Sequence, residues 1–156
     1  MANLVDTLAE AGTFNTLLRA IRATGLDVTL SGNRPFTLFA PTDDAFEELP
    51  RSALEVLFKD RPTLLEVMMY HLLKGWMPAN EVILKPSLVA LNGQRLAVDA
   101  MDRVKVNGAS VLQIDREADN GIIHTVDAVL LPNSWRGIKS PVSSPLRGIG
   151  KASLLL

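Results

Sequence analysis

The chain has 156 residues, of which 47% are hydrophobic, and this suits one domain with a well-buried core. It contains no cysteine, which excludes disulfides, thiolate metal ligands and thiol nucleophiles. Its formal net charge of −1 is uneven, because all 17 acidic residues lie within residues 1–132 while residues 133–156 carry only basic charges. A mildly acidic body argues against a nucleic-acid partner.

The sequence has no pattern typical of a membrane segment. No apolar run is long enough to cross a bilayer. The first segment, MANLVDTLAE, lacks a basic stretch followed by an apolar one, so it is not predicted to be a signal peptide. Localisation therefore stays open between a cytoplasmic protein and a chain whose leader has been removed.

Helical patterns dominate the first part of the chain. Apolar residues within 4–8 predict a short helix, and those at 14–21 recur at the spacing of a second helix. Thr13 is the expected N-cap of the second helix, and Gly25 is expected to end it.

A short apolar strand is predicted over residues 36–40 and ends at Pro41, which cannot continue a central ladder. Thr42 is the expected N-cap of the following helix. Asp43 and Asp44 place negative charge in its first turn, where the helix dipole favours it. These cap and dipole roles are preferred to a paired-carboxylate catalytic site.

Two further helices are predicted from capping boxes, Ser52 with Glu55 and Thr63 with Glu66. The second of these helices is expected to run to Gly75, a natural C-terminal stop.

Extended patterns follow from about residue 82. The dipeptides Asn92-Gly93 and Asn107-Gly108 each join two strand-like runs and tolerate the positive φ angles of a type I′ turn. A last strand closes the body at Pro132. Helices followed by hairpins predict an α+β fold with helices packed on antiparallel sheets. The predicted domain is 1–132, and 133–156 is predicted to be a flexible basic C-terminal tail.

Two sequence blocks and a dipeptide between them resemble the fasciclin (FAS1, βig-h3-like) family. The first block is TLFAPTDDAF at residues 37–46, the second is NGIIHTVDAVLLP at residues 120–132, and Tyr70-His71 lies between them. The motif residues carried by the blocks are Thr37, Phe39, Pro41, Thr42, Asp43, Phe46, Gly121, His124 and Asp127.

This resemblance implies a wedge-shaped β-sandwich with flanking helices and a role in cell adhesion or surface interaction. Family members are usually extracellular, periplasmic or on the cell surface, and the Tyr-His region of animal members has been linked to integrin binding. Some members bind small ligands or polysaccharide. This sequence has no Arg-Gly-Asp and is similar to single-domain microbial members, so an integrin partner is not expected.

Catalysis and metal binding would have to use the two histidines of the chain. His71 falls on the apolar stripe of the predicted helix, so we expect a buried, hydrogen-bonded ring, with its partner in or near the first block as the resemblance implies. His124 and Asp127 are three residues apart on a strand and point to opposite faces, so they are not expected to share a metal. The sequence therefore predicts no enzyme activity, no metal and no cofactor.

Tyr70 is expected on the opposite, polar face of the same helix, beside Glu66 and Lys74. An accessible tyrosine is a good interface anchor, although its ring could instead pack on a loop with only the hydroxyl in water. Trp76 and Met77 either extend an apolar patch or anchor the helix end in the core.

The predicted binding surface is therefore Tyr70, His71, Trp76 and Met77, which we call the Tyr-His corner. Its expected partner is a protein or a polysaccharide. The alternative function is a carrier of a small apolar ligand or lipid, with a pocket between helices and sheet. A monomer or weak dimer is expected, and residues 82–91 are expected to include an edge strand.

Overall fold

The computed structural model describes residues 2–132, so the predicted tail, 133–156, lies outside the described residues. The helices are α1 Leu4–Ala11, α2 Asn15–Ala23, α3 Leu26–Leu30, α4 Asp43–Glu47, α5 Arg51–Lys59, α6 Arg61–Met69 and α7 Ala79–Val82. The strands are β1 Phe36–Pro41, β2 Leu72–Lys74, β3 Ser87–Val89, β4 Arg95–Asp99, β5 Lys105–Val106, β6 Ala109–Ala118 and β7 Gly121–Val126. This order confirms the predicted α+β fold.

The seven strands are hydrogen-bonded in the order β2-β1-β7-β6-β5-β4-β3. Every neighbouring pair is antiparallel except β1 and β7, which are parallel, with Phe36 opposite Gly121 and Pro41 opposite Val126. The expectation of purely antiparallel sheets is therefore wrong at the β1–β7 pair. The two strands come from opposite ends of the domain, so no hairpin turn dictates their relative direction.

Two hydrophobic clusters lie on opposite faces of β1. Leu38 and Ala40 pack with helices α1 to α6, whereas Phe39 points the other way, as strand alternation requires. The second cluster takes a buried side chain from every strand: Phe39, Leu73, Leu88, Leu96, Val106, Ala109 and Val126. The sheet therefore folds around its own core while the helices cover its outer face at β1 and β7.

The sequence predicted the helical segments better than their caps. Thr42 caps α4, since its Oγ1 accepts from the Ala45 amide at 3.2 Å. Thr13 does not cap α2. Asp43, from the next sequence block, accepts from the Thr16 amide at 2.8 Å and so caps that helix across a long sequence separation.

Both predicted capping boxes are wrong. Helix α5 begins at Arg51, its N-cap position is Pro50, and no side chain caps it, so Ser52 is not its N-cap. Helix α6 begins after Asp60, whose carboxylate accepts from the Thr63 amide and hydroxyl. It also ends at Met69 rather than Gly75, because the chain turns there into β2.

The two Asn-Gly turns differ. Asn107 and Gly108 both have positive φ, 50° and 83°, which confirms the type I′ turn between β5 and β6. At the other turn only Gly93 has positive φ, and its amide donates to the Ala90 carbonyl in a longer loop. The predicted type I′ turn is therefore wrong at Asn92-Gly93.

Candidate functional site

Tyr70 is buried, and the expectation of an accessible anchor is wrong. Only 3% of the residue is exposed, and its ring belongs to the cluster inside the folded sheet. Its hydroxyl donates to the Arg95 carbonyl at 2.8 Å and accepts from the Asn107 side-chain amide at 2.6 Å. Burial raises the pKa of Tyr70. Because α6 ends at Met69, the helical spacing used to place Tyr70 on a polar face does not apply.

His71 is fully buried and hydrogen-bonded, as the sequence predicted, and both of its ring nitrogens have partners. Nδ1 donates to the Val67 carbonyl at 2.8 Å, and Nε2 accepts from the Leu130 amide at 2.9 Å. The ring is therefore neutral, and burial lowers its pKa to about 4. Its partners lie in α6 and at the end of the second block, so the expected partner near the first block is wrong.

His124 is also buried and forms a bridge between three segments. Its Nδ1 accepts from the Asp115 amide at 3.2 Å, and its Nε2 donates to the Met77 carbonyl at 3.0 Å. Burial lowers the pKa of His124. Asp127 instead accepts from the Ser110 amide at 2.8 Å, so the two residues serve separate contacts, as expected from the strand pattern.

The loop after β2 is held by side chains from three other strands. The Thr37 hydroxyl donates to the Gly75 carbonyl at 2.8 Å and accepts from the Met77 amide at 2.9 Å. Asp115 Oδ1 accepts from the Ala79 amide at 2.9 Å. With the His124 bond, the loop that carries Trp76 is fixed to β1, β6 and β7.

The segment of residues 76–84 carries exposed apolar side chains on this fixed backbone, and we call it the Trp76 segment. Trp76 is 41% exposed and Leu84 is 79% exposed, while Ile83 is also exposed. Met77 is partly buried against the core inside the sheet. Of the four residues of the Tyr-His corner, two are therefore buried, one is partly buried and only Trp76 is exposed.

Phe39, Phe46 and Gly121 of the two sequence blocks are part of the packed interior. Phe39 and Phe46 are fully buried in the two clusters. At Gly121, a Cβ atom would lie 2.3 Å from the Phe36 carbonyl oxygen and 2.8 Å from Leu4 Cδ1, so the parallel pairing of β1 and β7 requires a glycine.

Two asparagines that sequence reasoning did not select join distant segments. Asn120 Oδ1 accepts from the Leu4 amide at 2.9 Å, and its Nδ2 donates to the carbonyls of Leu30 and Gly32. Asn107 bonds the Tyr70 hydroxyl and accepts from the Ala97 amide at 2.7 Å. In the sequence, each of them directly precedes a glycine, which indicates a turn. Nothing in the sequence indicates the distant partners of their side chains.

Over residues 2–132, no group of three or more His, Cys, Asp or Glu side chains is arranged to hold a metal. None of the helices in this range is long and apolar enough to span a membrane. A cleft of about 510 Å³ lies between β2 and β3, beside the Trp76 segment.

Comparison with known proteins gives a consistent result. A family model of the fasciclin domain matches residues 12–132. Protein sll1483 of Synechocystis is 39% identical over 132 residues, which cover 83% of this chain and 73% of that protein. The pig transforming growth factor-beta-induced protein ig-h3 is 34% identical over 134 residues, which cover 85% of this chain and 20% of that protein.

A FAS1 domain pair from the insect cell adhesion molecule Fasciclin I has a TM-score of 0.67 at 17% identity. The match covers 84% of this chain and 51% of that chain, so it spans about half of the pair. At this identity the similarity is one of fold.

Proposed function

Because this chain belongs to the fasciclin domain family, we propose that it is a non-catalytic interaction module that binds a protein or polysaccharide at the Trp76 segment. Its FAS1-type fold matches that of a cell adhesion molecule, and members of the family are generally adhesion domains without enzymatic activity. In this proposal Trp76 of the Tyr-His corner makes the contact, whereas Tyr70 and His71 stabilise the fold through their buried hydrogen bonds.

The observation that supports the proposal is the fixed display of a large aromatic side chain. Thr37, His124 and Asp115 hold the backbone around Trp76 through four hydrogen bonds of 2.8–3.0 Å. Little conformational entropy remains to be lost when a partner binds to such a loop. Exposed tryptophans are frequent energetic centres of protein interfaces.

Binding of the purified full chain to source-organism cells and to a matrix-and-glycan array tests this proposal. We expect Trp76→Ala to weaken binding roughly tenfold or more, as a central aromatic contact would. Leu84→Ala tests another strongly exposed apolar residue of the Trp76 segment. Its matched control is Val28→Ala on α3, because Val28 is 76% exposed and Leu84 is 79% exposed. Unchanged binding by both Trp76→Ala and Leu84→Ala would contradict the assignment of the surface.

A carrier of a small apolar ligand or lipid stays the alternative prediction. A thermal-shift panel of fatty acids and lipids addresses it, because a ligand bound only by the folded state raises Tm. Stabilisation by a lipid that is independent of Trp76 would favour the carrier over the adhesion module.

A further inference from the structure

The two outermost strands of the sheet, β2 and β3, approach each other. The Leu91 amide, just after β3, donates to the Leu72 carbonyl on β2 at 2.9 Å. Beyond this bond the strands enclose the cleft of about 510 Å³, whose lining includes Leu73, Lys74, Met77, Lys85, Leu88 and Val89. We call it the edge cleft; its volume lies in the range of roughly 300–1,000 Å³ that ligand sites occupy.

Within residues 2–132, one side of the β3 backbone has no strand paired to it, and this side faces the cleft. Towards β4, the Ala90 amide donates to the Gln94 carbonyl and the Val98 amide donates to the Pro86 carbonyl. Alternation along a strand therefore directs the amide and carbonyl of residue 88 to β4, and those of Ser87 and Val89 to the opposite side. Leu91 is also odd-numbered, and its amide bonds β2, so the odd-numbered residues of β3 face β2.

The backbone of β2 has the same arrangement. The Phe39 amide donates to the His71 carbonyl and the Gly75 amide donates to the Pro35 carbonyl, so odd-numbered residues of β2 bond β1. The even-numbered residues face away, as the Leu72 carbonyl shows. Lys74 therefore presents its amide and carbonyl to the edge cleft from the opposite wall.

We propose that the edge cleft binds an extended peptide segment of a partner protein, which adds as a strand between β2 and β3 and alternates acidic with apolar side chains. The proposal rests on the proposed interaction function and assigns its partner to the protein class. Backbone hydrogen bonds to Lys74 and Val89 provide the pairing, and Met77 and Leu91, which line the cleft and are only partly buried, contact the apolar side chains.

The positive charge of the cleft favours a partner peptide with acidic side chains. Lys74 and Lys85 are exposed in its lining, which contains no acidic residue. Arg95 adds a third positive charge nearby, because its guanidinium donates to the Ser87 hydroxyl at 3.1 Å. The charged residues of 133–156 are all basic and so have the same sign as this surface, which favours a partner segment over the chain's own tail.

Fluorescence anisotropy of the full chain with a labelled peptide of alternating Glu and Val tests the proposal, with a Lys-Val peptide and anionic lipid vesicles as competing probes. We expect saturable binding of the Glu-Val peptide, at least about tenfold tighter than binding of the Lys-Val peptide. Equal binding of the two peptides, no binding of either, or binding of the vesicles alone would overturn it.

Val89→Pro is the decisive variant, because it removes an amide that faces the cleft without removing a bond to β4. We expect Val89→Pro to weaken Glu-Val binding roughly tenfold and Val89→Ala to change it less than about threefold, since alanine keeps the amide. Equal effects of the two variants would contradict strand addition. If Val89→Pro unfolds, amide exchange in the wild-type chain decides, with slower exchange at Lys74 and Val89 expected on adding the peptide.

The charge contribution is measured with Lys85→Glu, for which Lys59→Glu on α5 is the control with the same change in net charge. We expect only Lys85→Glu to weaken Glu-Val binding, by roughly threefold to tenfold. If both variants weaken it equally, the selection is by net charge alone and the assigned cleft is wrong. The two proposals can fail separately. If Trp76→Ala loses binding to the matrix-and-glycan array while both Val89 variants bind the Glu-Val peptide as the wild type does, strand addition in the edge cleft is refuted and the proposed function stands.

Discussion

Tyr70-His71 and the Trp76 segment are neighbours in the chain, yet they occupy opposite environments. Both side chains of the pair are buried, whereas Trp76 and Leu84 are exposed. The pair lies where α6 gives way to β2, and its side-chain polar atoms are all hydrogen-bonded. The difference teaches that the burial of a motif says nothing about the exposure of residues a few positions later in the chain.

Among the buried positions, Gly121→Ala is expected to have the largest effect on stability. The added methyl group would overlap the Phe36 carbonyl oxygen, so β1 and β7 must separate. We expect a loss of about 3 kcal/mol or more in the free energy of unfolding, measured by urea denaturation. Gly93→Ala is the control, since space is open there and only its positive φ opposes the change. Equal losses at the two sites would mean that the parallel pair can adjust.

The acid sensitivity of the fold is expected to depend on His71. Its pKa falls from 6.5 to about 4 on folding, so between these pH values the unfolded chain binds a proton that the folded chain does not. Stability from this group is complete above pH 6.5 and decreases towards pH 4, by about 3 kcal/mol in all.

Denaturation curves between pH 7 and pH 4 check this, with His71→Gln expected to show a shallower decrease. Part of the decrease should remain in that variant, because burial also lowers the pKa of His124. Direct titration of the His71 ring by NMR gives an independent value, and protonation near pH 6.5 would show that the ring is accessible.

Tyr70→Phe is expected to have a moderate effect on stability and little effect on binding. It leaves the Arg95 carbonyl and the Asn107 amide without the hydroxyl, at a cost of about 1–2 kcal/mol. Chemical denaturation measures this cost, and the matrix-and-glycan array measures binding at a temperature where the variant stays folded. A folded Tyr70→Phe variant that binds as poorly as Trp76→Ala would break the division between supporting and contacting residues.

Trp76→Ala is expected to have the smallest effect on stability, about 1 kcal/mol, because 41% of the residue is exposed and it belongs to neither hydrophobic cluster of residues 2–132. The expected outcome is a near-normal Tm with weakened array binding, the reverse of Tyr70→Phe. A large drop in Tm would assign Trp76 to the core and remove it from the proposed surface.

The sequence was most informative where neighbouring residues decide the structure. The apolar face of α2, the Thr42 cap and the Asn107-Gly108 turn all follow from spacing or from short-range backbone preference. The burial of His71 was predicted correctly, but from a helix that in fact ends at Met69. The two signature blocks were sufficient to identify the family, which the fasciclin-domain match confirms.

Contacts between distant segments were not predictable from spacing. Asp43 caps a helix that begins many residues earlier, and Asn120 joins the start of α1 to the end of α3. The same limit explains the error at Tyr70, since periodicity continued the helix pattern past the point where β2 pairs with β1.

By itself, the sequence therefore determined the α+β class, the family, most segment types and the structural character of both histidines, because these depend on local patterns and long motifs. Only the tertiary structure decided that β1 and β7 are parallel, that Tyr70 is enclosed by strands from the second half of the chain, and that β2 and β3 face each other across a cleft. The physical reason is that burial and unpaired backbone edges depend on which segments meet in space, and the hydrophobic effect that brings them together has no directional code along the chain.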